Sequence, residues 1–153
     1  MRAEQLKDLI NRYTSASFTI NRRVAALMRV TMPDFLTQDQ YSILQFIKAK
    51  PDQMTTSTEL AGIFCVGKSS ITAIVARLEA KGLLRRQEDD RDRRVTRLHL
   101  TEEGERLAAE VSAELEKILG DYLNEFEDGE AEQFIQPFEK LARLLKETDE
   151  GRE

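Results

Sequence analysis

The sequence predicts a mainly α chain of the α+β class, and three observations carry that expectation. Apolar residues recur at spacings of three and four along most of its length, the period of helices with one buried face. The period changes once, between Leu83 and Leu100, where two short strand-like runs flank a polar tip. A length of 153 residues, 41% of them hydrophobic and 33% charged, suits one compact domain over 1–153 with a core of its own.

Leu6, Leu9, Ile10, Tyr13, Ser17, Ile20, Val24, Leu27 and Met28 define a long amphipathic helix that ends before Pro33. Its apolar stripe is longer than one small domain needs, so it either packs on a partner subunit or wraps its own core. Thr37-Gln38-Asp39-Gln40 has the form of a capping box, in which two side chains satisfy each other's orphan backbone donors. A second helix follows, with Tyr41, Ile43, Leu44, Phe46 and Ile47 as its buried side and Pro51 after its end. Thr56-Ser57-Thr58-Glu59 repeats the box and opens a third helix through Phe64. A fourth begins near Gly67 and turns Ile71, Ile74, Val75 and Leu78 inward, and Gly82 stands where a helix C-terminus favours a left-handed residue. Leu83–Glu88 and Val95–Leu100 read as paired strands around the tip Asp89–Arg94.

Thr101 caps a long helix whose stripe is Leu107, Val111, Leu115, Ile118, Leu119, Tyr122 and Phe126, with Glu102 and Glu103 well placed against its dipole. Asp128-Gly129 breaks the chain before a last helix carrying Phe134, Ile135, Phe138, Leu141 and Leu145. Pro137 is expected to kink that helix and the tail to fray after Lys146. Residues 37–100 thus form a candidate lobe, framed by helices in 1–30 and 101–147.

Composition narrows the function. One cysteine makes no intrachain disulfide, and with one histidine it makes a poor zinc site, so no metal or cofactor is expected. No run approaches the roughly 18 apolar residues of a membrane span, and MRAEQLKDLINRY lacks the apolar block of a signal peptide. A soluble, cytoplasmic protein without membrane contact is the expectation. The net charge of −5 divides unevenly: residues 1–66 hold 8 basic and 6 acidic side chains, 67–100 hold 9 and 5, and 101–153 hold 6 and 17. A basic patch can bind phosphate while an acidic body keeps the rest of the surface off a duplex.

Helix, tight turn, helix and hairpin is the order of a winged helix-turn-helix, whose second helix enters the major groove. The outward positions there are Lys68, Ser69, Ser70, Thr72, Ala73 and Arg77. Short side chains allow close approach to the groove floor, and Thr72 or Ala73 can meet a thymine methyl. Taken alone, the same face reads as an ordinary solvated surface. The hairpin tip adds weight, since Arg91, Arg93 and Arg94 fall within four residues, backed by Arg85 and Arg86. Arginine at such a tip suits a narrow minor groove. Asp89, Asp90 and Asp92 have the wrong sign for phosphate. The simplest account pairs Asp92 with Arg94, alternate residues sharing one face, as support for the wing.

Gly62-Ile63-Phe64-Cys65-Val66-Gly67-Lys68-Ser69 matches the phosphate-cradling pattern G-x-x-x-x-G-K-[ST]. That loop needs a buried strand before it, whereas a capped helical stretch precedes Gly62, so the match reads as coincidence. Cys65 lies in the turn as a small, half-buried residue or as a redox-sensing thiol with Lys68 nearby. His99 lies in a strand and reads as structural. These features favour a DNA-binding regulator over an enzyme, with a non-specific architectural DNA binder or a protein-interaction module as alternatives.

Over Leu60–Gly104 the sequence resembles the MarR (multiple-antibiotic-resistance regulator) family of bacterial transcription factors, through LAGIFCVGKSSITAIVARLEAKGLLRR and the wing DDRDRRVTRLHLTEEG. Cys65 departs from the glycine more usual in that turn, and Asp90 from a frequent proline. The resemblance implies a homodimer with interleaved first and last helices, bound to a pseudo-palindromic operator, usually as a repressor. It also implies release by a small lipophilic or phenolic effector, for which Tyr13, Phe18, Phe35 and Tyr41 are candidate cleft residues; the same four would serve equally as core. The family's redox mechanism uses a cysteine near the start of the first helix, and this chain has none there.

Overall fold

The computed structural model describes residues 2–50 and 55–150, with side chains through residue 147. The elements run α1 (Ala3–Thr31), α2 (Gln38–Ala49), α3 (Ser57–Ile63), α4 (Lys68–Ala80), β1 (Leu84–Glu88), β2 (Thr96–Leu100), α5 (Glu102–Leu123) and α6 (Glu130–Glu150). Type and order agree with the sequence expectation throughout.

Local chemistry sets most boundaries. At α2 the capping box is complete: the Gln40 amide donates to Thr37 Oγ1 at 3.3 Å, and the Thr37 amide donates to Gln40 Oε1 at 3.2 Å. At α3 it is half formed. Thr56 Oγ1 accepts from the Glu59 amide at 3.2 Å, but the Glu59 carboxylate pairs with Lys50 at the end of α2. A cation from a neighbouring helix outcompetes a neutral N–H for a carboxylate. Lys50 itself has the extended backbone (φ −86, ψ 121) favoured before proline, while Pro51 lies outside the described residues. At the end of α4, Gly82 takes φ 69, and the Gly82 and Leu83 amides donate to Glu79 and Leu78 oxygens at 2.9 and 3.0 Å. These are both bonds of a Schellman stop.

Ile43, Leu44, Ile47, Leu60, Ile71, Val75, Leu78 and Leu98 are fully buried. Met28 and Met32 close this core from one end and Leu107, Ala108 and Val111 from α5. β1 and β2 pair antiparallel with Leu84 opposite Leu100 and Glu88 opposite Thr96. Buried Thr55 forms an isolated bridge to Leu98, whose amide donates to the Thr55 carbonyl at 2.8 Å. Thr101 ties three elements together: its hydroxyl donates to the Gly82 carbonyl at 2.6 Å and accepts from the Gly104 amide at 3.1 Å. Its amide donates to the Leu83 carbonyl at 3.2 Å. Gly104 has no room for a side chain, because a Cβ there would lie 2.0 Å from that same Leu83 oxygen.

By contact the chain divides into two compact units, residues 1–115 and 116–153, with the boundary inside α5. In the first, α1 joins the core only from Val24 onward, and Leu6, Leu9, Ile10, Tyr13, Phe18 and Ile20 are exposed. Wrapping its own core therefore accounts for only the last part of the α1 stripe. In the second, α6 continues through Pro137 and keeps its helical backbone to Glu150, past the expected limit at Lys146. Phe134 and Phe138 stack along it at 5.5 Å.

Candidate nucleic-acid interface

α3 and α4 meet at 117°, within the range of a helix-turn-helix. The turn between them places Cys65 at φ 51, a left-handed conformation in which any Cβ is strained. That is the physical reason a glycine is more usual there. Cys65 is exposed rather than half-buried, and its thiol lies over the end of α3, 3.7 Å from the Gly62 carbonyl. The Gly62–Ser69 match to the phosphate-loop pattern spans the end of α3, this turn and the start of α4, and helix α3 stands directly before it where the pattern needs a strand.

α4 is seated by Ile71, Val75 and Leu78, each 0% exposed, with Ile74 partly buried beside them. Lys68, Ser69, Ser70, Thr72, Ala73 and Arg77 are all exposed on the other side, as their spacing predicted. Ala76 and Ala80 share that face and were missed, although the period that picks out Ala73 also reaches them. Thr72 Oγ1 donates to the Lys68 carbonyl at 2.8 Å, which leaves the hydroxyl lone pairs and methyl for other contacts.

The wing is organised by a residue that sequence reasoning counted only as an awkward charge. Asp89 is buried, and its Oδ1 accepts from the Arg91 and Asp92 amides at 2.8 and 3.0 Å. Its other oxygen pairs with Arg97, which comes back along β2. The Asp92 amide, then the Arg91 amide and then the Arg97 guanidinium hold the Asp89 carboxyl below its ordinary value. Hairpin closure is completed by Asp89 N–H to the Val95 carbonyl at 2.9 Å and Val95 N–H to the Asp92 carbonyl at 2.8 Å. The expected Asp92–Arg94 pair is present at 3.1 Å, and it lowers the Asp92 pKa, the Arg94 side-chain bond contributing most. The Arg94 side chain, however, is 91% exposed against 20% for Arg97, so solvent screens the outer pair far more than the inner one. An aspartate followed by a tight polar turn was the available signal, since its carboxylate suits the amides two and three residues on.

Arg91 and Arg93 are exposed at the tip. Arg85 and Arg86 do not simply back it: Arg86 pairs with Glu79 of α4 at 2.8 Å, and Arg85 donates to Gln87 at 2.9 Å. His99 lies opposite Arg85, and its pKa is lowered by partial burial, then by Arg85 and Arg97.

The aromatic residues suggested for an effector cleft separate in the single chain. Tyr41 is buried, with its hydroxyl accepting from Gln45 at 2.7 Å, so it belongs to the core. Tyr13, Phe18 and Phe35 are exposed. Lys81 lies over the Phe35 ring at 5.9 Å and donates to the Phe35 carbonyl and to Gln40 Oε1, the latter at 2.7 Å. Two surface hollows run along α1, one lined by Glu4, Gln5, Asp8 and Leu9 and the other by Asn11, Arg12, Ser15, Ala16, Thr19 and Ile20. None of the four aromatic residues lines either hollow.

A sharply bent helix pair followed by a hairpin with a basic tip defines a winged helix-turn-helix protein. Comparison with known proteins narrows the class. Residues 36–96 match the model of the MarR family. The chain is 32% identical over 130 residues to an uncharacterized HTH-type transcriptional regulator of Bacillus subtilis (strain 168), YsmB, covering 82% of this chain and 88% of that protein. It is 30% identical over 110 residues to the transcriptional regulator HosA of Escherichia coli O157:H7, covering 72% of this chain and 79% of the relative. A MarR family structure from Bacillus stearothermophilus superposes with a TM-score of 0.78 at 26% identity, covering 95% and 98% of the two chains. The chain belongs to the MarR family, and so is a DNA-binding transcription regulator rather than an enzyme. Among the described residues, no single helix is long and apolar enough to cross a membrane.

Proposed function

We propose that two copies of this chain bind an inverted-repeat operator and repress transcription by occluding a promoter. The observation that carries the reading is one exposed face of α4, bearing Lys68, Ser69, Ser70, Thr72, Ala73 and Arg77, beside a wing whose tip presents Arg91 and Arg93. In this reading α4 enters the major groove and the wing arginines reach the adjacent minor groove, with Asp89, Asp92, Arg94 and Arg97 holding the wing's shape. Pairing of subunits is supported by the apolar stripes left exposed on α1 (Leu6, Leu9, Ile10, Tyr13) and on α6 (Phe134, Ile135, Phe138, Leu145). The helices of 1–30 and 101–147 are then the dimerisation elements around the DNA-binding lobe at 37–100. Release by a small lipophilic or phenolic effector is the regulatory part of the proposal. Tyr13, Phe18 and Phe35 are its candidate contacts, and Tyr41 drops out because it is core.

The test is selection of bound sites from a random duplex library at near-physiological salt. The expected product is an inverted repeat with half-sites about 34 Å apart, one turn of DNA. Salt-dependent binding without a motif would make the protein an architectural DNA binder, and absence of DNA binding would make it a protein-interaction module.

A further inference from the structure

We propose that α4 recognises its half-site chiefly through the 5-methyl groups of thymines, with Ala73 and Ala76 as the reading residues. The inference rests on the reading above, that this helix enters a major groove, and adds what it recognises there. With about 100° of turn per residue, the direction opposite buried Ile71, Val75 and Leu78 is occupied by Ser69, Ala73, Ala76 and Ala80. The outermost ridge of the helix therefore carries one hydroxyl and three methyl groups. Lys68 and Thr72 flank it on one side, Ser70 and Arg77 on the other, and all four are exposed.

Base readout by hydrogen bonds uses long, forked side chains: arginine or lysine to guanine, asparagine or glutamine to adenine, a carboxylate to cytosine. The ridge has none of these; its one polar group, Ser69, is a short hydroxyl that can serve more than one base and so discriminates weakly. Thr72 and Arg77 lie about equally far to either side of it, and Thr72 spends its proton on the Lys68 carbonyl. What the ridge offers is apolar contact at close range, for which the thymine methyl is the partner in the major groove. Lys68 and Arg77, set to the sides, are placed for the two phosphate walls.

The experiment starts from the selected operator and replaces each half-site thymine by deoxyuridine, which removes only the methyl group and leaves the protein untouched. At one or more positions the affinity should fall by about fourfold, the effect of burying a single methyl-sized group. In Ala73→Gly or Ala76→Gly that preference for thymine over deoxyuridine should shrink towards onefold, with thermal melting confirming that the variant is folded. Ala73→Ser serves as a second variant of nearly native volume. A selected operator bound equally well with deoxyuridine at every position would overturn the methyl reading and leave the operator proposal intact. Thymine preference undiminished in both glycine variants would overturn the assignment to Ala73 and Ala76. Recovery of no operator would remove the premise itself.

Discussion

Helix α4 and the wing are neighbours in sequence, yet opposite physics holds them in place. α4 is anchored by Ile71, Val75 and Leu78, all inaccessible to solvent, so its position is part of the same core that folds the lobe. The wing tip buries almost no apolar surface. It is held by Asp89, which collects two backbone amides and one guanidinium, while Asp90, Arg91, Arg93 and Arg94 stand in water. The difference teaches that the placement of α4 is tied to the stability of the core, whereas that of the wing tip rests on a few local polar bonds.

The largest expected effect breaks the apolar side of this comparison. Leu78→Ala should lower the stability of the lobe by about 2–5 kcal/mol, the range for a large-to-small change at a buried site. Denaturant unfolding would read it, and DNA binding should disappear only together with the fold. A variant of full stability would mean that the core does not seat α4.

On the polar side, removing both tip arginines by Arg91→Ala with Arg93→Ala should leave unfolding unchanged while weakening operator binding. The slope of log affinity against log salt should flatten by about 1 for each phosphate-neutralising arginine lost. An unaltered slope would take the wing out of the interface.

Asp89→Ala should have a smaller effect of the same kind, about tenfold in DNA affinity, because an untethered tip must be ordered anew on binding. Faster hydrogen exchange at the Arg91 and Asp92 amides, with core amides still protected, is the accompanying signature. Acidification tests the same group. The Asp89 pKa is lowered in the folded wing, so its stabilisation is complete above the ordinary carboxylate value and is lost as pH falls through the lower folded value. The wing amides should therefore lose protection in acid rather than in base, and loss on the alkaline side would contradict the assignment.

The smallest effect is a gain. Cys65→Gly relieves a left-handed backbone and should stabilise the protein by about 1 kcal/mol without altering DNA affinity. A loss of stability would show that the thiol contributes something its exposure does not suggest.

The order of elements and most of their ends were legible in the sequence, because the causes lie within a few residues of their effects. The Thr37–Gln40 box, the Thr101 cap, the glycine stop at Gly82 and the apolar period of α4 all act over one or two turns of chain. The outward face of α4 followed from the same period, whereas the left-handed backbone at Cys65 came from the structure, the family resemblance having shown only that a glycine is more usual there.

What only tertiary structure decided involves partners far apart in sequence. Glu59 looked like half of a local capping box until Lys50 from another helix claimed it. Tyr41 was an open choice between cleft and core until Gln45 bridged its hydroxyl to the Ala108 carbonyl of α5. Asp89 looked like misplaced charge until hairpin pairing carried Arg97 back beside it. Gly104 showed no special need until α5 settled on the Leu83 carbonyl. Helical period, caps and turns are short-range and act before the chain has folded. The choice of partner for a charge or a hydroxyl waits for packing, since only the finished core sets which groups leave water together.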